Sequence, residues 1–348
     1  MLKKYHQNKV KNVLVVGKNN QVGDMICSLP LYAALKKKYP DSNITLVASK
    51  TNYPIPIKEI NPYINNIITL DRSSLKSTFI FLKELRKTKY QIGIVPSTIT
   101  LSSTLHIVNY LSGAKVRVGV KNIDDKKNKT AYLLNVKESF AWNKNKTHQQ
   151  ERNLDIVKQI GCNLTVDELK NIKIKIDKEY ETFAEDFIKE NFPDKKQPII
   201  GIHPGAGKEK NIWDVENFKH LMKKLDDKYH PYFLITAGYT DMVVINNILI
   251  FLKEHGLYYR IVESLELKKL AALLNKIDLY ITNDTGTMHI ADSVGGKVLA
   301  LFGPTNSYKW GPRSKNSFSI QAPTISINDI TVDVVYNKSI EMLKNKRI

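Results

Sequence analysis

The sequence predicts an α/β chain of two doubly wound units with parallel sheets. Three observations carry this. Short apolar runs alternate with helix-period stretches along most of the chain, the pattern of parallel strands covered on both faces by helices. A strand running into a glycine-containing loop and then a helix occurs twice, once near residue 16 and again near residue 202. The length of 348 residues exceeds what one hydrophobic core usually fills, and 42% hydrophobic residues suffice for two cores.

The elements follow in order. Val13–Val16 reads as a short buried strand, and Gly17 to Gly23 as a loop. From about Asp24, apolar residues at 26, 29, 31, 34 and 35 predict a helix with Pro30 near its first turns. "NITLVAS" and "IITL" are strands, 74–87 a helix, "QIGIVPS" and "KVRVGV" further strands. Residues 121–150 are polar and basic and read as an irregular, partly mobile segment placed to lie over a cleft. "ERNLDIVKQIG" is a helix closed by Gly161. The second unit opens at "QPIIGIHPGAG". It continues as helix "VENFKHLMKKL", strand "YFLITAG", a helix near 241–254, strand "YRIVES" and helix "LKKLAALLNK". Strand "LYITN", a short helix, strand "KVLALFG" and an amphipathic tail helix complete it. Ligands of such sheets bind at the carboxyl ends of the strands, so the loops after them carry the functional expectations.

Composition narrows the classes. Lys and Arg number 53 against 34 Asp and Glu, a formal charge of +19. Such a surface favours anionic partners, among them nucleotides, phospholipid headgroups and phosphorylated glycans, although lysines spread along the whole chain also fit a plain solvated surface. The basic patches match no DNA- or RNA-binding module, so no nucleic-acid partner is expected. Cys27 and Cys162 stand in no disulfide or zinc spacing. No apolar run approaches the ~18 residues of a membrane span. "VLVV" is too short for a signal-peptide core, so a cytoplasmic protein is expected.

Three stretches are rich in chemistry. In "VGKNNQVGDMICSLP", Asp24 stands at a helix start, either as an N-cap accepting backbone N–H bonds or as a general base for an acceptor hydroxyl. A dinucleotide fingerprint is absent, since Gly17 and Gly23 stand six apart. In "IGIHPGAGKEKNIW", Gly205, Ala206 and Gly207 leave room for backbone amides to approach an anion, and Lys208 and Lys210 can add point charge. The alternative is a flexible turn with solvated lysines. The Walker A spacing fails there. In "YITNDTGTMHIADSVGGKVLALFGPT", a turn after a buried strand precedes a helix capped by Thr285 or Thr287. The helix start suits a diphosphate. Asp284 can hold the turn or a ligand hydroxyl, and His289 lies one turn in. No D-x-D triplet signals a carboxylate-held metal, so no metal cofactor is expected.

Taken together, "VGDMICSLPLYAALKKKYPDSNITLV", "IGIHPGAG…W" and "NDTGTMHIADSVGGKVLALFGPT" resemble glycosyltransferase family 9, the ADP-heptose:lipopolysaccharide heptosyltransferase family. The resemblance spans nearly the whole chain, and its last motif is the most specific. It implies a GT-B fold, two Rossmann-like domains facing across a cleft. Residues 1–175 would bind the acceptor and 176–348 the donor, with the last helix free to pack back on the first domain. It implies inverting, metal-independent sugar transfer from a nucleotide diphosphate, best read as heptose from ADP-heptose. The acceptor would be a lipid-linked or phosphorylated glycan, with peripheral contact at the inner membrane surface.

The resemblance also assigns roles. Asp24 becomes the general base, and Asp284, Thr285, Gly286 and His289 bind the donor, with Thr287 and Met288 against its phosphates or packed beneath them. The family's lysine two residues before the loop tryptophan is replaced by Asn211, leaving Lys210 one position early. Asp241 is the candidate for the ribose-holding acid. A nucleotide-sugar 2-epimerase of the same architecture, and a non-catalytic nucleotide- or glycan-binding homologue, are the alternatives.

Overall fold

The structure, a computed structural model, describes residues 10–17, 21–49, 56–192, 197–238 and 242–345. The chain divides into two compact units, Met1–Ile172 and Lys173–Ile348.

The first unit begins with β1 (Asn12–Val16), α1 (Val22–Lys38), β2 (Asn43–Ser49) and short α2 (Ile57–Ile60). It continues with β3 (Asn66–Leu70), α3 (Leu75–Arg86), β4 (Ile92–Ile94) and α4 (Ser103–Leu111). β5 (Val116–Ile123), β6 (Lys126–Lys127), β7 (Val136–Phe140), α5 (Gln149–Lys158) and α6 (Val166–Lys170) close it. Strand order is β3-β2-β1-β4-β5-β6, with β7 also paired to β5. All described pairings are parallel except β5 with β6. The Val/Leu run of β1 is buried on both faces, as a central parallel strand requires. Leu14 and Val16 share a core with Phe81 and Leu85 of α3 and Leu105 and Val108 of α4. α5 packs along α1. Cys27 and Cys162 are free and buried, and burial pushes the Cys162 thiol up to about 12 against the nearby Lys38 ammonium.

The second unit begins with α7 (Lys178–Asn191), β8 (Ile199–His203), α8 (Val215–Tyr229), β9 (Tyr232–Ala237) and α9 (Met242–Glu254). β10 (Tyr259–Glu263), α10 (Leu267–Lys276), β11 (Leu279–Asn283) and α11 (Gly286–Ser293) follow. β12 (Val298–Phe302), short α12 (Ser307–Trp310), β13 (Phe318–Gln321) and α13 (Val332–Lys344) complete it. Its described sheet is wholly parallel, in the order β10-β9-β8-β11-β12-β13. α13 packs on α8, adding Val335 and Met342 to that unit's core. Lys297 Nζ holds its end by donating to the carbonyls of Met342 at 2.8 Å and Asn345 at 2.7 Å.

Two sequence expectations are corrected. Residues 121–150 are not irregular: they hold the end of β5, a hairpin to β6, a 3₁₀ turn and strand β7. β7 reads "VKESF" and has no fully buried position, so it lacks the apolar run of an inner strand. Asp24 is not the N-cap of α1. That position is Gln21, in extended backbone, and Asp24 lies inside the first turn. No described helix is long and apolar enough to cross a membrane.

Candidate functional site

In both sheets the strand order reverses beside the first strand of the unit, between β1 and β4 and between β8 and β11. Such a reversal splays the two following loops apart and opens a crevice at the carboxyl edge. The loop after β8 contains Gly205–Gly207, and the turn after β11 contains Asp284–Gly286. In the paired strands His203 lies opposite Thr282, so the two loops leave the sheet side by side.

A buried amide ties them. Asn283, the last residue of β11, donates from Nδ2 to the carbonyls of Pro204 at 2.8 Å and Gly205 at 3.2 Å. Its Oδ1 accepts from the Trp213 backbone N–H at 3.2 Å. The Trp213 indole is fully buried and donates to the Ile330 carbonyl at 2.9 Å. With their carbonyls turned onto Asn283, the loop residues donate no backbone hydrogen bond from the N–H groups of Gly205, Ala206 or Gly207 among the described residues. These amides remain to be satisfied by water or a ligand. Beneath them, Thr236 Oγ1 stands 3.0 Å from His203 Nδ1 and 2.9 Å from the Tyr280 hydroxyl. Gly201 lets Tyr280 lie this close, because a Cβ there would stand 2.7 Å from the ring.

A second tie crosses from Asn211, whose Nδ2 donates to Asp284 Oδ2 at 3.1 Å. Asn211 is buried while Lys208 and Lys210 are exposed on the same 3₁₀ turn. Burial raises the Asp284 carboxyl above the usual carboxylate range, opposed by the Thr305 hydroxyl and the Lys208 ammonium. Thr285 caps α11, its Oγ1 accepting the Thr287 N–H at 3.4 Å. The first amides of α11 therefore face the same edge as the Gly205–Gly207 loop, with the positive end of the helix behind them. His289 is buried one turn in, its ring edge-on to Trp310 at 6.3 Å. Burial lowers its pKa to about 4 despite Asp292, so it is a neutral imidazole near pH 7. Asp292 in turn accepts from the Arg313 and Ser314 amides and the Ser317 hydroxyl.

The second unit thus brings together Gly205, Ala206, Gly207, Asp284, Thr285, Gly286, Thr287 and His289. Lys210 is near in sequence but points to solvent. Asp241 lies outside the described residues. The sequence reading gave Asn283, Thr236 and Tyr280 no role. A polar residue closing the apolar run "LYITN" was the available signal for Asn283, since a buried amide demands partners.

In the first unit Asp24 sits at the corresponding edge, half-buried in the first turn of α1. α5 runs beside it: Asn153 Nδ2 donates to the Cys27 carbonyl at 3.2 Å, and Lys38 Nζ donates to the Ile160 carbonyl near the end of both helices. Among the described residues there is no group of three or more His, Cys, Asp or Glu placed to hold a metal ion.

Two doubly wound units with parallel sheets give the chain a fold of the GT-B type. The chain belongs to glycosyltransferase family 9 (heptosyltransferase), whose family model matches residues 79–330. It is similar to lipopolysaccharide heptosyltransferase 3 of Escherichia coli, 24% identical over 329 residues that cover 86% of each chain. Its fold is similar to a glycosyltransferase family 9 structure from Veillonella parvula, with a TM-score of 0.75 at 20% identity over 96% of this chain and 97% of that one. The E. coli ADP-heptose lps heptosyltransferase II structure follows at 0.73 and 22%, over 95% and 98%. Family membership decides for a transferase over an epimerase.

Proposed function

We propose that this glycosyltransferase moves heptose from ADP-heptose to a lipopolysaccharide or related surface-glycan acceptor, with inversion and without a metal ion. The observation that carries the reading is the braced pair of loops at the reversal between β8 and β11, in a chain of this family. The names of its relatives supply the sugar and the acceptor class.

The leaving ADP gains negative charge as the bond from the anomeric carbon to the phosphate oxygen breaks. The Gly205–Gly207 amides and the first amides of α11 would hold that charge as fixed dipoles that need no reorganisation. Lys208 and Lys210 would add long-range attraction. Neutral His289 would pack beneath the helix start rather than supply charge. The acceptor hydroxyl attacks from the opposite face of the sugar and forms the new C–O bond. Asp24 takes its proton, a contribution of about 10²–10⁴-fold. A formal charge of +19 favours an anionic membrane surface as the place of reaction.

The test is transfer from ADP-heptose to a lipopolysaccharide-core acceptor in EDTA, with the product's anomeric configuration read by NMR. Turnover in EDTA with an inverted product supports the reading. Loss of turnover in EDTA, or a retained configuration, contradicts it.

A further inference from the structure

Six of the fourteen large apolar side chains exposed among the described residues fall between residues 75 and 110. They lie on two helices and on the segment just before the second of them. Leu75 is 91% exposed, Phe79 69% and Ile80 56%, all in the first half of α3. Ile107 and Tyr110 lie on α4, and Ile99 just before it. α3 and α4 run parallel and side by side. Arg72 Nη1 donates to Thr104 Oγ1 at 3.4 Å near both starts, and Arg86 Nε donates to the Leu111 carbonyl at 3.1 Å near both ends. Their inner residues, Phe81, Leu85, Leu105 and Val108, already fill the core; of the outer apolar side chains Tyr110 lies under the Arg117 guanidinium, 5.3 Å from its ring, and the others are no part of that core. A monomer rarely exposes so concentrated an apolar surface without a partner.

The charges around that row choose the partner. Residues 71–111 contain Arg72, Lys76, Lys83, Arg86, Lys87 and Lys89 against two acids, Asp71 and Glu84, the second of which pairs with Lys87 at 2.5 Å. Lys76, Ile80 and Lys83 recur at helical spacing, so lysines flank the exposed apolar side chains. A two-fold contact with a second copy would bring the same basic rim against itself. An anionic lipid surface satisfies both features: acyl chains take the apolar side chains, and headgroup phosphates take lysines that snorkel outward.

We propose that the outer face of α3 and α4 is a membrane-docking surface for anionic phospholipid. α3 starts after β3 and α1 after β1 in one parallel sheet. The exposed half of α3 therefore lies toward the same carboxyl edge as Asp24. A sugar acceptor anchored in that lipid surface is thereby kept near the edge that carries the base. This deepens the proposed transfer to a lipid-anchored acceptor and rests on it for its purpose, but not for its test.

The test is co-sedimentation of the full chain with vesicles of phosphatidylethanolamine and phosphatidylglycerol at about 70:30, which carry a negative surface potential, and with phosphatidylcholine alone. No donor or acceptor is present, so the result stands apart from the transfer assay. Wild type should pellet with the anionic vesicles and much less with phosphatidylcholine. The pairs Phe79→Ser with Ile80→Ser, and Lys76→Glu with Lys83→Glu, should each weaken partition about tenfold or more. The pair Lys144→Glu with Lys253→Glu, exposed elsewhere, should change it less than about threefold. Unchanged melting of each variant shows that it folds. Wild type left in the supernatant overturns the proposal, as does the distant lysine pair weakening binding as much as the α3 pairs. A lipid-free dimer that dissociates in the Phe79→Ser, Ile80→Ser variant would assign the face to a second copy and also overturn it.

Discussion

The two units share one topology and load its carboxyl edge in opposite ways. In the second, the edge is cross-braced: Asn283 holds two carbonyls and an amide, Asn211 holds Asp284, and Asp292 gathers the 313–317 loop. In the first, Asp24 stands half-buried in the first turn of a helix whose N-cap makes no side-chain bond. Under the proposed function, the difference lets one doubly wound frame serve two tasks. Holding a diphosphate with backbone dipoles requires loops fixed in advance. Accepting a proton requires one carboxylate with access to the substrate. Substitutions in the second edge should therefore cost stability, and the substitution of Asp24 should cost turnover.

The largest effect belongs to Asp24→Asn. Turnover should fall about 10²–10⁴-fold, while ADP binding is retained. Steady-state kinetics beside calorimetric ADP titration reads both. Unchanged turnover would remove the base from the first edge.

Asn283→Ala inverts that pattern. It strands the carbonyls of Pro204 and Gly205 and the Trp213 amide, at a cost of about 3 kcal/mol. Urea unfolding should show it as a lower midpoint. A loss below about 0.5 kcal/mol would mean that the two loops do not depend on this amide.

His289 sharpens the comparison through pH. Its folded pKa lies near 4, below the ordinary value of 6.5. The unfolded chain then binds the extra proton first, so the stability this histidine contributes is present above pH 6.5 and is lost as pH falls from 6.5 towards 4. The loss amounts to about 3 kcal/mol. His289→Gln should flatten that stretch of the profile in urea titrations at stepped pH. An equal slope in the variant would place the titrating group elsewhere.

Lys210→Ala should have the smallest effect. The side chain is exposed, so ADP affinity should weaken by about 1 kcal/mol, roughly fivefold, and less at high salt. A hundredfold loss would show that Lys210 turns inward onto the phosphates when the donor binds.

Much of the architecture was legible because inner parallel strands are apolar runs and both glycine loops follow them. "LVVG", "IGIHPG" and "YITND" announce strand, edge and turn in that order. What escaped was structure without an inner face. β7 has no fully buried residue, so "VKESF" reads as a polar segment. α7 buries only Ala184, yet its apolar residues at 180, 183, 187 and 188 follow helical spacing and could have marked it. α4 was hidden for a different reason: its apolar residues are split between the core and the exposed face. In the site, the glycines, Asp284 and Thr285 could be read locally. The role of Asn283 could not, because the carbonyl it holds at Pro204 lies 79 residues away in sequence. The exchange of Lys210 and Asn211 was legible as a spacing, but that Asn211 is buried beside Asp284 while Lys210 stays outside was not, because Asp284 is equally remote in sequence.

The most direct test of the central claim, that the braced edge of the second unit binds the donor's nucleoside diphosphate without a metal, is thermal unfolding with ADP, GDP, UDP and dTDP, each in EDTA and in magnesium. A ligand at 100 times its Kd adds about 2.7 kcal/mol, a shift of several degrees. The account predicts a shift with ADP alone, equal in EDTA and in magnesium. No shift with any diphosphate, or one that requires magnesium, would contradict it, and a shift with UDP or GDP in place of ADP would overturn the donor.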